Sequence, residues 1–311
     1  MNFLQTESQK DFNCIRKLWG EIFGNQHPMI VNKELMNWFY SPAFNPLSSG
    51  FIYSKSNNGK NLNPNAFIGY RTVKWFDVEE IWICGFGAKP SFPGAGLFLL
   101  RNFLETYAQK NLCVVGFIPE LAKVYKSMGF VIEEGFRNLG RVTDTSTISY
   151  PVEFLPAKIF FSNYSRLISQ KFYDSYHHLL SEHIVWKYFV FIRHNIVFFV
   201  RKEADIVCRI VMVYDIGNDD FGNLTDDLID ELYCNIAKHL NCEYIDFVSN
   251  INFNIGSNSS NLDPMDDNQL PGYFSPEAPY RKLDFAIRTV DDSKRKIYFK
   301  ADGDQERSNG Q

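Results

Sequence analysis

A run of small residues lies at residues 88–98, between a predicted strand and a predicted helix. It contains Gly94, Ala95 and Gly96, and small side chains allow a backbone to come close to a ligand. The first N–H groups of a helix have no acceptor within the helix, and the helix dipole adds partial positive charge there. Such a corner suits a diphosphate. The spacing alone also leaves open an ordinary tight turn whose glycines only satisfy geometry.

A second pattern follows one predicted strand later, at residues 122–130, with the sequence AKVYKSMGF. The two patterns together resemble the coenzyme loop and the A-x-x-x-Y-x-x-x-G-F signature of the GNAT superfamily of acyl-coenzyme A N-acyltransferases. The residues that match the loop signature are Pro90, Phe92, Gly94, Gly96 and Leu97. Ala88, Pro93 and Phe98 depart from it, and Pro93 offers neither an amide donor nor a cation. The resemblance covers roughly residues 1–140.

The resemblance implies a coenzyme site. It places the pantetheine arm along a strand end, Gly85–Gly87, where two parallel strands separate, and the diphosphate on the loop. Lys123 and Lys126 are candidates for steering the phosphates, although solvated lysines on a helix need no function. The implied cosubstrate is acetyl-CoA or another short-chain acyl-CoA, with no metal. The expected coenzyme-binding residues are Phe86, Gly87, Ala88, Gly94, Ala95, Gly96, Leu97, Phe98, Lys123 and Lys126.

Three residues are candidates for proton transfer from an attacking amine to the leaving thiolate. Tyr125 matches the tyrosine to which the family assigns the general-acid role, and a core tyrosine that packs its helix is the alternative. Glu80 alternates with apolar residues such as Trp82 along a strand, so it is a candidate base. An exposed carboxylate at a strand edge is the alternative. His27 suits proton uptake near neutral pH, and a surface histidine before Pro28 is the alternative.

The composition is typical of a packed protein with two domains. The chain has 311 residues, of which 45% are hydrophobic and 16% aromatic, which is enough for two cores. Its net charge of −4 gives no basic field for nucleic acid or an anionic membrane. The six cysteines lie far apart without zinc or redox spacing, which indicates isolated buried thiols and no metal. Residues 1–10 are polar and no apolar run has the length of a membrane span, so we expect a cytoplasmic protein.

Periodicity predicts an α/β fold with a mixed sheet in each half. In the first half we predict helices at Asp11–Phe23, Glu34–Tyr40, Leu97–Lys110 and Pro119–Met128, and strands at Gly50–Ser54, Ala66–Phe76, Glu80–Ala88, Leu112–Phe117 and Val131–Asn138. In the second half we predict helices at Tyr173–Lys187 and Thr225–Leu240, and strands at Ile196–Lys202, Ile206–Asp215, Tyr244–Val248, Leu283–Arg288 and Lys296–Lys300. We therefore expect two tandem GNAT-like domains, residues 1–155 with the coenzyme and a degenerate 156–311. Each would be a mostly antiparallel mixed sheet flanked by helices.

Features of the second half of the chain indicate where the acceptor binds and what kind of molecule it is. Its loop Asn218–Asn223 is acidic and would repel a diphosphate, so we expect this half to complete the acceptor cleft rather than bind coenzyme. Residues 271–276 and 298–307 are similar to tandem GNAT proteins of bacterial surface-polysaccharide biosynthesis. That similarity implies an amino sugar on a nucleotide carrier as acceptor. Trp38, Tyr40 and Tyr273 would then be stacking surfaces for its sugar or base.

The sequence thus predicts transfer of an acetyl or other short acyl group to the amine of an amino sugar, by direct attack on the thioester. Two alternatives stay open. The same fold would act on an amino acid or a protein amine, or the pair of domains would be a non-catalytic binding or scaffold module. The departures at Pro93 and Phe98 favour the scaffold alternative.

Overall fold

The computed structural model describes residues 2–5, 9–25, 27–40, 49–55, 64–75, 78–115, 117, 119–145, 152–183, 186–216, 224–257, 259–265 and 284–290. The helices are α1 (Gln9–Phe23), α2 (Pro28–Val31), α3 (Lys33–Tyr40), α4 (Ala95–Thr106), α5 (Pro119–Ser127), α6 (Ala157–Asn163), α7 (Gln170–Ser181) and α8 (Asp226–Leu240). The strands are β1 (Asn2–Gln5), β2 (Ser49–Lys55), β3 (Pro64–Trp75), β4 (Val78–Ala88), β5 (Asn111–Val115), β6 (Val131–Glu133), β7 (Phe136–Val142), β8 (Glu153–Pro156), β9 (Tyr188–Arg193), β10 (Ile196–Ala204), β11 (Val207–Asp215), β12 (Tyr244–Ser249), β13 (Leu262–Pro264) and β14 (Phe285–Arg288). No helix among these is both long and apolar enough to cross a bilayer.

The strands form two sheets. The first has the order β1-β2-β3-β4-β5-β14-β6 and the second has the order β13-β7-β12-β11-β10-β9-β8. Adjacent strands from β1 to β4 are antiparallel, whereas β4 and β5 are parallel. In the second sheet β11 and β12 are parallel, and the neighbouring pairs are antiparallel. The chain also divides into two compact units, which centre on Met1–Val115 and Gly116–Ala286.

Helices cover both faces of the first sheet. Trp19 of α1 stacks on Phe67 of β3 with ring centroids 4.8 Å apart. Tyr70, three residues further along β3, faces the other way and contacts Phe103 of α4 at 5.7 Å. The side chains of β3 are buried from Ala66 to Val73, since each face of the strand has its own helix to pack against.

The second sheet is arranged in the same way. His239 of α8 contacts Phe191 of β9, whose register partner on β10 is Phe198, so α8 covers that face. Phe199, the next residue along β10, therefore faces the opposite side, where Phe160 of α6 contacts it at 5.3 Å. All nine residues of β11 are buried, as expected for a central strand with covered faces.

Most of the predicted elements are confirmed, including the strand, helix and parallel strand of the second half, Val207–Asp215, Asp226–Leu240 and Tyr244–Ser249. The strand predicted at Val131–Asn138 is a correction, because it is two strands, β6 and β7, that belong to different sheets. The chain leaves one strand and enters the other beside Gly135, whose N–H donates to Asp284. The sequence analysis also missed β1, α2, β8, α6, β9 and β13. The helix predicted at Tyr173–Lys187 is the earlier α7. The predicted strand Lys296–Lys300 lies outside the described residues.

Two strands belong to the sheet of the opposite half of the chain, which bears on the predicted domain boundary. The strand β7 precedes residue 155 but belongs to the second sheet, and β14, from the C-terminal part, belongs to the first. A single boundary near residue 155 therefore does not separate the sheets. The division into domains 1–155 and 156–311 stays a prediction.

A buried ion cluster holds β7 in the second sheet. The carboxylate of Asp246 on β12 is fully buried. It accepts two hydrogen bonds from Arg137 of β7, both at 3.1 Å, and one from Arg209 of β11 at 3.0 Å. Charge-assisted bonds of this kind are strong because little water competes with them. The three strands are thus joined by side chains as well as by their backbone ladders.

We expect Asp246→Ala to destabilise the protein by about 3–5 kcal/mol, because two guanidinium groups lose the carboxylate that they share inside the protein. Urea unfolding of the variant measures this loss. The matched control is Glu243→Ala, immediately before β12. Its ion pair with Arg141 is partly exposed, so the effect should be much smaller. Equal losses in the two variants would contradict a structural role for the buried cluster.

Candidate active site

The pairing between β4 and β5 stops part-way along β4. Four residue pairs join the strands, from Glu80 with Asn111 to Ile83 with Val114, although β4 continues to Ala88. At the same point the β3–β4 ladder contains a bulge, because Ile83 and Gly85 face consecutive residues of β3 and Cys84 is left unmatched. Beyond the bulge, β4 pairs with β3 alone among the described residues. The strand end that was expected to separate from its parallel neighbour does so.

The two glycines of this strand end serve packing. A Cβ atom on Gly85 would lie 2.3 Å from the ring of Trp19, and one on Gly87 would lie 2.9 Å from Ile22. Both positions therefore bring α1 directly against the backbone of β4. The bulged residue is Cys84, next to the glycines rather than one of them. Of the residues after the bulge, Gly85, Phe86 and Ala88 are half-buried and Gly87 is buried.

The loop after β4 leads into α4 through a left-handed glycine. Gly94 is the residue before the helix, with φ 83° and ψ −10°, and no side chain caps the helix there. A Cβ atom at Gly94 would meet nothing within 4 Å, so the space beside it is open. The loop itself is held at its start, where Lys89 donates its N–H to the carbonyl of Asn65 at 2.8 Å and its ammonium group to Glu21 at 2.9 Å.

Three backbone N–H groups at this corner are available to a ligand. The sequence analysis placed five residues of this corner, from Gly94 to Phe98, in the coenzyme site. The N–H of Ala95 donates to Phe92 at 3.1 Å, and that of Phe98 makes the first bond of the helix, to Gly94 at 2.9 Å. The N–H groups of Gly94, Gly96 and Leu97 have no acceptor among the described residues. Together with the dipole of a twelve-residue helix, these N–H groups are suited to bind an anion, and the predicted diphosphate site stays a prediction.

The predicted base is buried and hydrogen-bonded. Glu80 is 2% exposed, so the alternative of a solvated carboxylate at a strand edge is wrong. Its Oε2 accepts a hydrogen bond from the indole N–H of Trp82 at 2.9 Å. The sequence analysis noted the alternation of Glu80 with Trp82 but missed their contact. The available signal was the spacing of two residues, which places both side chains on one face of a strand.

Tyr125, the predicted acid, lies on α5 with its ring in the core. It is 1% exposed and contacts Phe117 at 5.0 Å and Phe130 at 5.2 Å. Burial raises the pKa of Tyr125 well above its ordinary value, so the phenol keeps its proton at neutral pH. No described residue accepts or donates a hydrogen bond at its hydroxyl. Lys123 and Lys126 of the same helix are exposed.

The remaining predicted residues have packing or capping contacts. His27 is half-buried, and its Nδ1 accepts the N–H of Met29 at the start of α2, which favours a capping role. Trp38 and Tyr40 are 5% and 0% exposed, so neither ring presents an open surface for stacking. Tyr273 lies outside the described residues, as do residues 271–276 and 298–307.

The second sheet repeats the separation of parallel strands. Four pairs join β11 to β12, from Val207 with Tyr244 to Ile210 with Phe247, and the next residue, Val211, is a bulge in the ladder with β10. The following residues of β11 are nevertheless at most 5% exposed. The helix that comes next, α8, is capped by Thr225, whose side chain accepts from Leu228, and its first turn carries two aspartates. This second strand end is therefore covered, and its helix start is acidic.

Comparison with solved structures finds the same fold in acetyltransferases. A GCN5-related N-acetyltransferase from Anabaena variabilis ATCC 29413 has 13% sequence identity and a TM-score of 0.55, over 93% of this chain and 73% of that one. A conserved protein from Enterococcus faecalis V583, described as a probable N-acyltransferase, has 11% identity and a TM-score of 0.50, over 80% and 64%. A tandem GNAT protein from the clavulanic acid biosynthesis pathway has 10% identity and a TM-score of 0.48, over 92% and 96%.

The chain thus spans less than two thirds of the Enterococcus protein. No protein-family model and no curated protein matches it. At these identities the likeness establishes the fold, and the chain has the GNAT fold. The predicted fold class is confirmed, with two mixed, mostly antiparallel sheets that are flanked by helices.

Proposed function

We propose that this protein is an N-acyltransferase that uses acetyl-CoA or another short-chain acyl-CoA and acts in the cytoplasm. The observation that carries the proposal is the continuity of the strand end Gly85–Ala88 with the amides of Gly94, Gly96 and Leu97. One edge of that strand has no described neighbour, and the amides have no described acceptor. A ligand with a peptide-like arm and a diphosphate matches both features in one molecule.

The residues available for binding follow from this arrangement. The backbone of Phe86, Gly87 and Ala88 would pair with the amide groups of the pantetheine arm, as a neighbouring strand would. The amides after Gly94 would hold the diphosphate. Pro93 and Phe98 do not remove this capacity, because Pro93 lies before the open amides and the N–H of Phe98 is already used within α4. Lys123 and Lys126 would add positive charge without a fixed contact.

The chemistry needs two proton transfers. Acyl-coenzyme A supplies a thioester carbonyl that a neutral amine can attack, so that a C–N bond forms and the C–S bond breaks. Glu80 would take the proton of the attacking amine, directly or through a water molecule, and Tyr125 would give its phenolic proton to the sulfur. The phenol of Tyr125 carries the proton that this role needs at neutral pH, although the pKa raised by burial makes it a weaker acid than a free phenol. His27 is the weaker candidate for the base because its Nδ1 caps α2.

The acceptor that we propose is the amine of an amino sugar, carried on a nucleotide. Its support is the similarity of residues 271–276 and 298–307 to tandem GNAT proteins of polysaccharide biosynthesis. Burial of Trp38 and Tyr40 leaves Tyr273 as the aromatic candidate for stacking on it. The second half of the chain would contribute to acceptor binding and not to coenzyme binding, since its equivalent strand end is covered and Asp226 and Asp227 lie at the helix start.

Leu97→Pro tests the contact between the amides and the diphosphate. Leu97 is the third residue of α4, so proline there removes an open N–H without removing a hydrogen bond of the helix. We expect coenzyme A to bind about 10- to 100-fold more weakly, the value of one hydrogen bond to a charged group. Calorimetric titration with coenzyme A measures this change.

The matched control for that titration is Leu97→Ala. It keeps the N–H and removes a side chain that is 53% exposed, so binding should stay close to wild type. Thermal unfolding of both variants monitors the integrity of α4. Equal affinities of the proline and alanine variants would contradict the placement of the diphosphate.

A screen for release of free coenzyme A tests the acceptor. The full chain is supplied with acetyl-CoA and separate panels of amino-sugar nucleotides, amino acids and peptides. We expect the fastest release with an amino-sugar nucleotide. Release with amino acids or peptides alone would overturn the proposed acceptor but keep the activity, whereas no release and no heat of coenzyme binding would favour the scaffold alternative.

Tyr125→Phe tests the proposed acid in the same assay. The variant loses only the hydroxyl, so the packing against Phe117 and Phe130 is kept. We expect kcat to fall by about 10²- to 10⁴-fold, the usual contribution of a positioned proton donor, with the affinity for coenzyme A unchanged. An unchanged kcat would remove Tyr125 from the mechanism.

A further inference from the structure

Trp82 and Glu80 are both buried and hydrogen-bonded to each other. Trp82 is 3% exposed and Glu80 is 2% exposed, and the indole N–H lies 2.9 Å from Oε2. The two residues are on the face of β4 that α1 and α3 cover, since Arg71, the register partner of Trp82 on β3, places its guanidinium 4.7 Å from the ring of Phe39 in α3. The carboxylate therefore has a donor from its own strand at a fixed distance.

Other groups on this face also bear on the charge of the carboxylate. Arg71 of β3, the register partner of Trp82, is buried and carries a full charge. The partners on β5 are Asn111, opposite Glu80, and Cys113, opposite Trp82. Among the described residues of α3, the titratable group that packs on this face is Tyr40. Arg71, Cys113 and Tyr40 are charged or can titrate, whereas the indole N–H of Trp82 is an uncharged donor that does not titrate.

An indole donor has two effects on a buried carboxylate. A hydrogen bond to the charged form stabilises that form relative to the protonated one. It also fixes the rotation of the carboxylate, because the indole ring is held by packing and cannot follow a moving oxygen. Both effects favour a proton acceptor that must be ionised and in place when the amine arrives.

We propose that Trp82 is the positioning residue of Glu80 and that its indole N–H, through this hydrogen bond, holds the carboxylate in the orientation for proton transfer. This inference rests on the proposed function, in which Glu80 is the base. In this role Trp82 would act through Glu80 and would not itself touch the reacting atoms. A purely structural pair would lose stability without its hydrogen bond but would not change how the activity depends on pH.

The first test needs no acceptor. The full chain is labelled with nitrogen-15 in its five tryptophans, and the indole N–H signals are followed by NMR as the pH is lowered. The Trp82 signal is the one that is missing in Trp82→Phe. We expect it to shift in a single step in the wild type and to lose that step in Glu80→Gln, because the charge that it senses is gone.

The test can still be made if the Trp82→Phe variant fails to fold. If Trp82→Phe cannot be purified, comparison of wild type with Glu80→Gln still decides the point, since one of the indole signals should lose its pH step and the others should not. Indole signals with the same pH dependence in both proteins would overturn the proposal.

The second test uses the amine that releases coenzyme A fastest in the acceptor screen. In Trp82→Phe we expect kcat to fall and the acidic limb of the kcat/KM profile to move to higher pH, because the charged form of the carboxylate loses a hydrogen bond. The KM for acetyl-CoA should not change. Trp186→Phe, which removes a buried indole from the second unit, is the matched control and should leave the limb in place.

The outcomes separate the two proposals. If Glu80→Gln keeps full activity, Glu80 is not the base, and the role of Trp82 falls with it. If Glu80→Gln is inactive and Trp82→Phe lowers kcat with the acidic limb unmoved, the proposed function stands and the positioning role is overturned.

Discussion

Parallel pairing between β4 and β5 lasts for only four residue pairs, and the geometry of the candidate site depends on where it ends. A strand without a neighbour leaves N–H and C=O groups that need partners. The bulge at Cys84 coincides with the last pair, and α1 fixes the strand from one face because Gly85 and Gly87 have no side chains. The loop then carries the chain into α4, so that an open strand edge and open helix amides follow one another within a few residues. Neither feature alone would specify a ligand.

The two units share the same strand geometry but differ in the side chains around it. Each has four parallel pairs followed by a bulge, at Cys84 in one and at Val211 in the other. In the first unit the strand end is half-buried and the helix begins with glycines and apolar residues. In the second, the strand end is buried, and the helix begins with its own cap and two carboxylates. Both units thus have the same backbone geometry, and the side chains around it determine whether a ligand can bind there.

Local patterns predicted much of this site, and long-range pairing accounts for most of what they missed. The glycines before α4 and the strand before them were visible because turn chemistry and periodicity are properties of neighbouring residues. The number of open amides at the start of α4 was not visible in the sequence, because it depends on a hydrogen bond from the N–H of Ala95 to the carbonyl of Phe92. Burial of Trp38 and Tyr40 was also missed, because aromatic residues suit a core and a binding surface equally well. The split of residues 131–138 into β6 and β7 depended on partners more than a hundred residues away, such as Asp246.

The position of β14 has a consequence for synthesis of the chain. This strand, Phe285–Arg288, lies between β5 and β6 in the first sheet, and Arg288 donates to the carbonyl of Tyr107 at the end of α4. While the ribosome is still translating the second half, the first sheet has an unfilled slot beside β5. Contacts between segments so distant in sequence form slowly, and an unpaired strand edge is prone to aggregation in the meantime. Until β14 has been synthesised, the edge of β5 in the nascent N-terminal half therefore lacks the strand that pairs with it in the folded protein.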